Sequence, residues 1–110
     1  MSAPDLLARL RAQVGSARDG ALLRFSIGNA LLGAGEAAAA SDAFRQAVGF
    51  DQGYSAAWKL LGKALLEAGD RAAAASAWQH GVEAARARGD VQAAKEMQVF
   101  LRRLEKTGGT

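Results

Sequence analysis

Apolar side chains recur along the chain at intervals of three and four, the spacing that gathers them on one side of an α-helix. Leu6, Leu7, Leu10 and Val14 make the first such run, and Leu22, Phe25, Ile27, Leu31 and Leu32 make the second, which stops at Gly35. Glu36 opens a third, carrying Ala40, Phe44, Ala47 and Val48. Trp58, Leu61, Leu65 and Leu66 form a fourth, ended by Gly69, a residue type suited to the position just past a helix. Asp70, a good N-cap, starts a fifth with Ala74, Trp78, Gly81 and Val82. After Gly89 and Asp90, a sixth stripe holds Ala94, Met97, Leu101 and Leu104, with Val91 and Phe100 at its edge. The pattern predicts six helices, near 5–14, 20–34, 36–49, 54–68, 70–88 and 90–106, and a disordered tail at 107–110. The turns after the second and fourth runs span about two residues, so the helices they join must be antiparallel neighbours.

The middle of the chain repeats itself. A shift of 34 residues aligns Gly28 with Gly62, Ala30 with Ala64, Leu31 with Leu65 and Leu32 with Leu66. It also aligns Gly35 with Gly69, Ala40 with Ala74, Ala43 with Ala77 and Val48 with Val82, within eleven identities in all. Alanine richness inflates that number, but the glycine pairs fall where small residues are sterically useful. The second period reads Trp58-x-x-Leu61-Gly62-x-x-Leu65, then Ala74-x-x-x-Trp78 and Gly81; the first reads Arg24-x-x-Ile27-Gly28-x-x-Leu31, then Ala40-x-x-x-Phe44 and Ala47. This arrangement resembles the tetratricopeptide repeat (TPR), a 34-residue helix–turn–helix unit. Arg24 stands where the first tryptophan is usual, and Gln52 and Arg86 stand where proline is expected.

The resemblance implies an all-α fold, a short right-handed superhelix of antiparallel helix pairs. One domain then spans 1–106, with an N-terminal helix at 5–14, repeats at 21–54 and 55–88, and a capping helix at 90–106. Gly28 and Gly62 would remove side chains where the helices of a pair cross, and Phe44 or Trp78 would fill the space between them.

Composition agrees with a helical reading and narrows the chemistry. Alanine occupies 27 of 110 positions, while Val, Ile and Thr together supply eight. There is no cysteine and one histidine, His80, so disulfides, thiolate chemistry and His-rich metal sites are excluded. The net charge of +3 is spread over scattered pairs such as Arg9 and Arg11, or Arg86 and Arg88, not the stripe of a nucleic-acid domain. The acids are dispersed, and Asp19, Glu36, Asp70 and Asp90 stand at helix starts as expected caps. Gly28–Ala34 and Trp58–Ala64 look superficially like phosphate loops, but neither follows a strand and each lacks required residues. The tryptophans, at repeat positions, are read as packing residues, as is Tyr54. No signal peptide or membrane-length apolar run is visible, and a cytoplasmic location is expected.

What remains is a surface. In the family, peptide ligands lie along a concave face lined by the first helix of each repeat. The residues expected there are Leu22, Phe25, Asn29 and Leu32 from the first repeat, and Ala56, Lys59, Lys63 and Leu66 from the second. Lys59 and Lys63 are four apart, hence on one side of one helix, and belong to no core pattern. With Asn29, one period before Lys63, they resemble part of a clamp that holds a peptide's terminal carboxylate, though its first lysine position is Phe25 here. The expected function is a non-enzymatic protein–protein interaction module without cofactor, metal, nucleic acid or membrane. The alternative is a structural protein that self-associates as a homodimer.

Overall fold

A computed structural model of the protein describes residues 2–108. Among them are six helices and no strand: α1 (Ala3–Arg11), α2 (Ala21–Gly33), α3 (Ala37–Phe50), α4 (Ser55–Glu67), α5 (Arg71–Ala87) and α6 (Val91–Gly108). The boundaries fall within three residues of those expected. Thr107 and Gly108, expected in the tail, continue α6, because the Thr107 hydroxyl donates to the Arg103 carbonyl at 3.0 Å and stays in the helical register. Residues 109 and 110 lie outside the described residues.

Three turns repeat one geometry. Gly35, Gly69 and Gly89 have φ of 81°, 91° and 75°, a region in which side chains other than glycine are strained. In each turn the following residue's N–H reaches back to close the helix: Glu36 to the Leu31 carbonyl, Asp70 to Leu65 and Asp90 to Ala85, at 2.8–2.9 Å. Asp70 and Asp90 then cap the next helix, accepting from the N–H groups of Ala73 and Ala93. Two expected caps behave otherwise. Glu36 makes no capping bond. Asp19 lies one residue before the N-terminal boundary at Gly20 and is engaged by Arg24 instead.

Helix α2 packs on α3 and α4 on α5, and α3–α4 and α5–α6 contacts join the pairs. Along one side α2 meets α4 and α4 meets α6, whereas the backbones of α3 and α5 stay more than 8 Å apart. Helices that close up on one side and diverge on the other make a curved stack, with α2, α4 and α6 on its inner side. The core follows the steric logic of the repeat. A Cβ on Gly28 would lie 2.6 Å from the Phe44 ring, and one on Gly62 would collide with the Trp78 indole. Between pairs, a Cβ on Gly81 would strike the Met97 sulfur, and Met97 is fully buried there.

Candidate functional site

The inner side is where the eight expected groove residues belong, and the structure divides them. Leu22 stands out into solvent, 69% exposed, and Asn29 is exposed beside it in the helical register. Leu32 and Ala56 are half-buried. Phe25 is not an open anchor: its ring stacks on Tyr54 with centroids 4.9 Å apart and tilts against Phe44 at 5.8 Å. It serves as a joint between the two pairs. That burial raises the Tyr54 phenol's pKa, and the nearby Asp51 charge adds to the effect.

The lysines also differ from expectation. The Lys59 ammonium lies 3.3 Å from Glu96 of α6, with both side chains largely covered. Lys63 holds its Nζ 5.2 Å from the centre of the Phe100 ring, also on α6. No hydrogen bond joins Asn29 to Lys63 among the described residues. Both lysines thus make contacts from α4 to α6. Lys59→Glu would set a second carboxylate against Glu96, so it is not the fold-neutral change that its place outside the core pattern suggested.

Helix α6 is thus more than a lid. One side carries Ala93, Ala94 and Met97 into the core, and another brings Phe100, Arg103 and Leu104 beside α4. There Lys63 and Leu66 border a pocket of about 250 Å³, shared with Arg71 and Trp78 of α5 and with α6. A wider cleft of about 540 Å³ opens between α5 and α6, with Ala72, Ala75, Leu101 and Leu104 in its walls and Arg102 and Glu105 at its edge.

Elsewhere the polar groups brace the repeat. Arg24, in place of tryptophan, donates through Nε and Nη2 to the two Asp19 oxygens, both at 2.9 Å, and through Nη1 to Gln46. The arginine and the N–H groups of Gly15 and Gly20 hold the Asp19 carboxyl well below the usual range. Arg88 holds Asp51 down in the same way, and the Ser55 hydroxyl, with the Ala93 N–H, lowers Asp90. Trp58 donates to the Gln52 carbonyl at 2.8 Å and stacks on exposed His80 at 5.3 Å. His80 Nδ1 lies 2.9 Å from the Ser76 carbonyl, a hydrogen bond for the Nδ1–H tautomer. Among the described residues, no three His, Asp or Glu side chains gather into a possible metal site. Nor is any helix among the described residues long and apolar enough to cross a membrane.

Comparison with known proteins puts this architecture in context. No protein-family model matches the chain. It is 46% identical over 88 residues to the TPR repeat-containing protein PA0015 of Pseudomonas aeruginosa, an alignment spanning 80% of this chain and 84% of that one. The solution structure of protein BPP2914 from Bordetella parapertussis superposes with a TM-score of 0.79 at 46% identity, over 93% of this chain and 89% of that one. The crystal structure of MamA shares the fold at 19% identity, with a TM-score of 0.70 over 97% of this chain and 71% of its own. The short superhelix of antiparallel pairs, the glycine-for-aromatic crossings and the identity to a repeat protein agree: the chain belongs to the tetratricopeptide-repeat family.

Proposed function

We propose that this protein is an interaction module that binds a peptide or helix of a protein partner along the face of α2, α4 and α6 and itself performs no reaction. Membership of a repeat family that acts in general through protein–protein contacts supports the coarse reading. The observation that carries the finer one is that α6 extends the inner face to a third helix. Leu22, Leu32 and Leu66, from the first two helices, remain at least partly open on it. Such partly exposed apolar steps on rigid helices suit a segment laid across them. The test is capture from the native cell extract by the wild-type chain and by a Leu22→Glu, Leu66→Glu variant, both judged by helical circular dichroism. A partner should be enriched by the first and lost by the second. Equal recovery by both would place the contact elsewhere on the molecule.

A second reading is self-association through the cleft between α5 and α6, whose wall of Ala72, Ala75, Leu101 and Leu104 is apolar. Light scattering over a range of concentrations separates the two. A specific dimer abolished by Leu101→Glu supports this second reading, and a monomer at all concentrations removes it.

A further inference from the structure

We infer that the pocket among α4, α5 and α6 is the recognition point of the inner face, and that it takes an internal acidic segment of a protein with one large apolar side chain at its centre. This deepens the interaction reading above and rests on it. The walls are apolar: Leu66 from α4, Trp78 from α5, and Phe100 and Leu104 from α6. At about 250 Å³ the space is smaller than the ~300–1,000 Å³ of small-molecule clefts, and it suits one inserted side chain. Its rim is cationic. Lys63, Arg71 and Arg103 come from three different helices, and no carboxylate lines the pocket.

What sets these cations apart is that three of them share one pocket. Lys59, Arg24 and Arg88 are neutralised by Glu96, Asp19 and Asp51, whereas Lys63, Arg71 and Arg103, like several scattered surface cations, form no ion pair among the described residues. Two of them are already oriented. Arg71 Nη2 donates to the Leu104 carbonyl at 2.8 Å and to the Thr107 hydroxyl at 3.1 Å, so its remaining guanidinium donors are free for an anion. Lys63 is held over the Phe100 ring. Cations spread around an apolar pocket match acids on both sides of an apolar anchor better than they match one terminal carboxylate. Trp78 is only 3% exposed, so its ring offers no open face on which a nucleic-acid base could stack.

The test uses the full chain, labelled with nitrogen-15, and a synthetic peptide of two glutamates on each side of one leucine, blocked at both ends. Amide and indole shifts should concentrate at Lys63, Leu66, Trp78 and Arg103, and affinity should fall as salt is added. Lys63→Glu with Arg103→Glu, both exposed positions, should weaken binding about tenfold or more. Serine in place of the peptide's leucine should weaken it comparably. If the double variant melts lower, Arg103→Gln alone should still reduce the affinity of the folded protein.

Absence of binding overturns the assignment, as does equal binding of a peptide with lysines for glutamates. So does tighter binding of single-stranded RNA, of anionic phospholipid vesicles or of the same peptide with a free C-terminus. Shifts confined to Leu22, Leu32 and Ala56 would refute the pocket while leaving the broader interaction role intact. Loss of that role would show instead in the capture experiment.

Discussion

Replacing Gly62 with leucine would drive a branched side chain into the indole of Trp78, whose N–H is committed to the Lys59 carbonyl at 3.0 Å. The ring cannot swing aside without leaving its hydrogen bond, so α4 and α5 must separate. Overpacking of this kind costs ~1–3 kcal/mol or more. The melting temperature should fall by roughly 5–15 °C, and an unchanged melt would mean that the helices do not cross at Gly62. Arg24 illustrates a different solution at the equivalent of Trp58. Its guanidinium is clamped by Asp19, bonded to Gln46 and 5.6 Å from the centre of the Phe50 ring. Because the folded state depresses the Asp19, Asp51 and Asp90 pKa values, their stabilisation is fully present above the unfolded carboxylate value near pH ~4. It is lost as pH falls through the folded values. Urea melts from pH 7 to pH 2 should show stability dropping below about pH 4, less steeply in Asp19→Asn, which starts from lower stability at pH 7. Parallel curves for the two proteins would dissociate Asp19 from the acid transition.

Among the elements, α6 has the widest range of tasks. Met97 and Trp58 both close over Gly81, where a Cβ would strike them, while the Phe100 and Trp78 ring centroids lie 5.2 Å apart. Met97→Ala removes a fully buried side chain that neighbouring atoms cannot readily replace, and ~2–5 kcal/mol is the expected loss. Chemical denaturation should show it, with hydrogen exchange rising most in α6 and in the end of α5 that faces it. A loss confined to a few tenths of a kcal/mol would mean that α6 is held by its polar ties, such as Lys59–Glu96 and Arg71–Leu104, more than by packing.

Over the whole molecule, each helix leans mainly on its neighbours in the stack, so stability should vary along the chain as it does in other linear repeats. Among the described residues, helix α1 contacts only α2, and its Leu6 is 43% exposed. The central α3, α4 and α5 each pack against helices on both sides. Native-state hydrogen exchange should therefore find the fastest opening in α1 and the slowest in α3–α5. Uniform protection from α1 to α6 would instead require one undivided cooperative unit.

The helical runs, the turns at Gly35 and Gly69 and the matching of Gly28 with Phe44 or Gly62 with Trp78 could all be read from the chain alone. They depend on short-range periodicity and on side-chain size, which a 34-residue shift reveals directly. The same shift could not place α6. Helix α5 has 17 residues where α3 has 14, so Lys59 meets Glu96 and Lys63 meets Phe100 across 37 positions. Extra length in one helix slides every later residue around and along the stack, and no local pattern records the result. For that reason the sequence alone determined the repeat and the family it resembles. Only the tertiary structure decided that Phe25 is a packing joint, that Lys59 is neutralised, and that Lys63 joins Arg71 and Arg103 around one pocket.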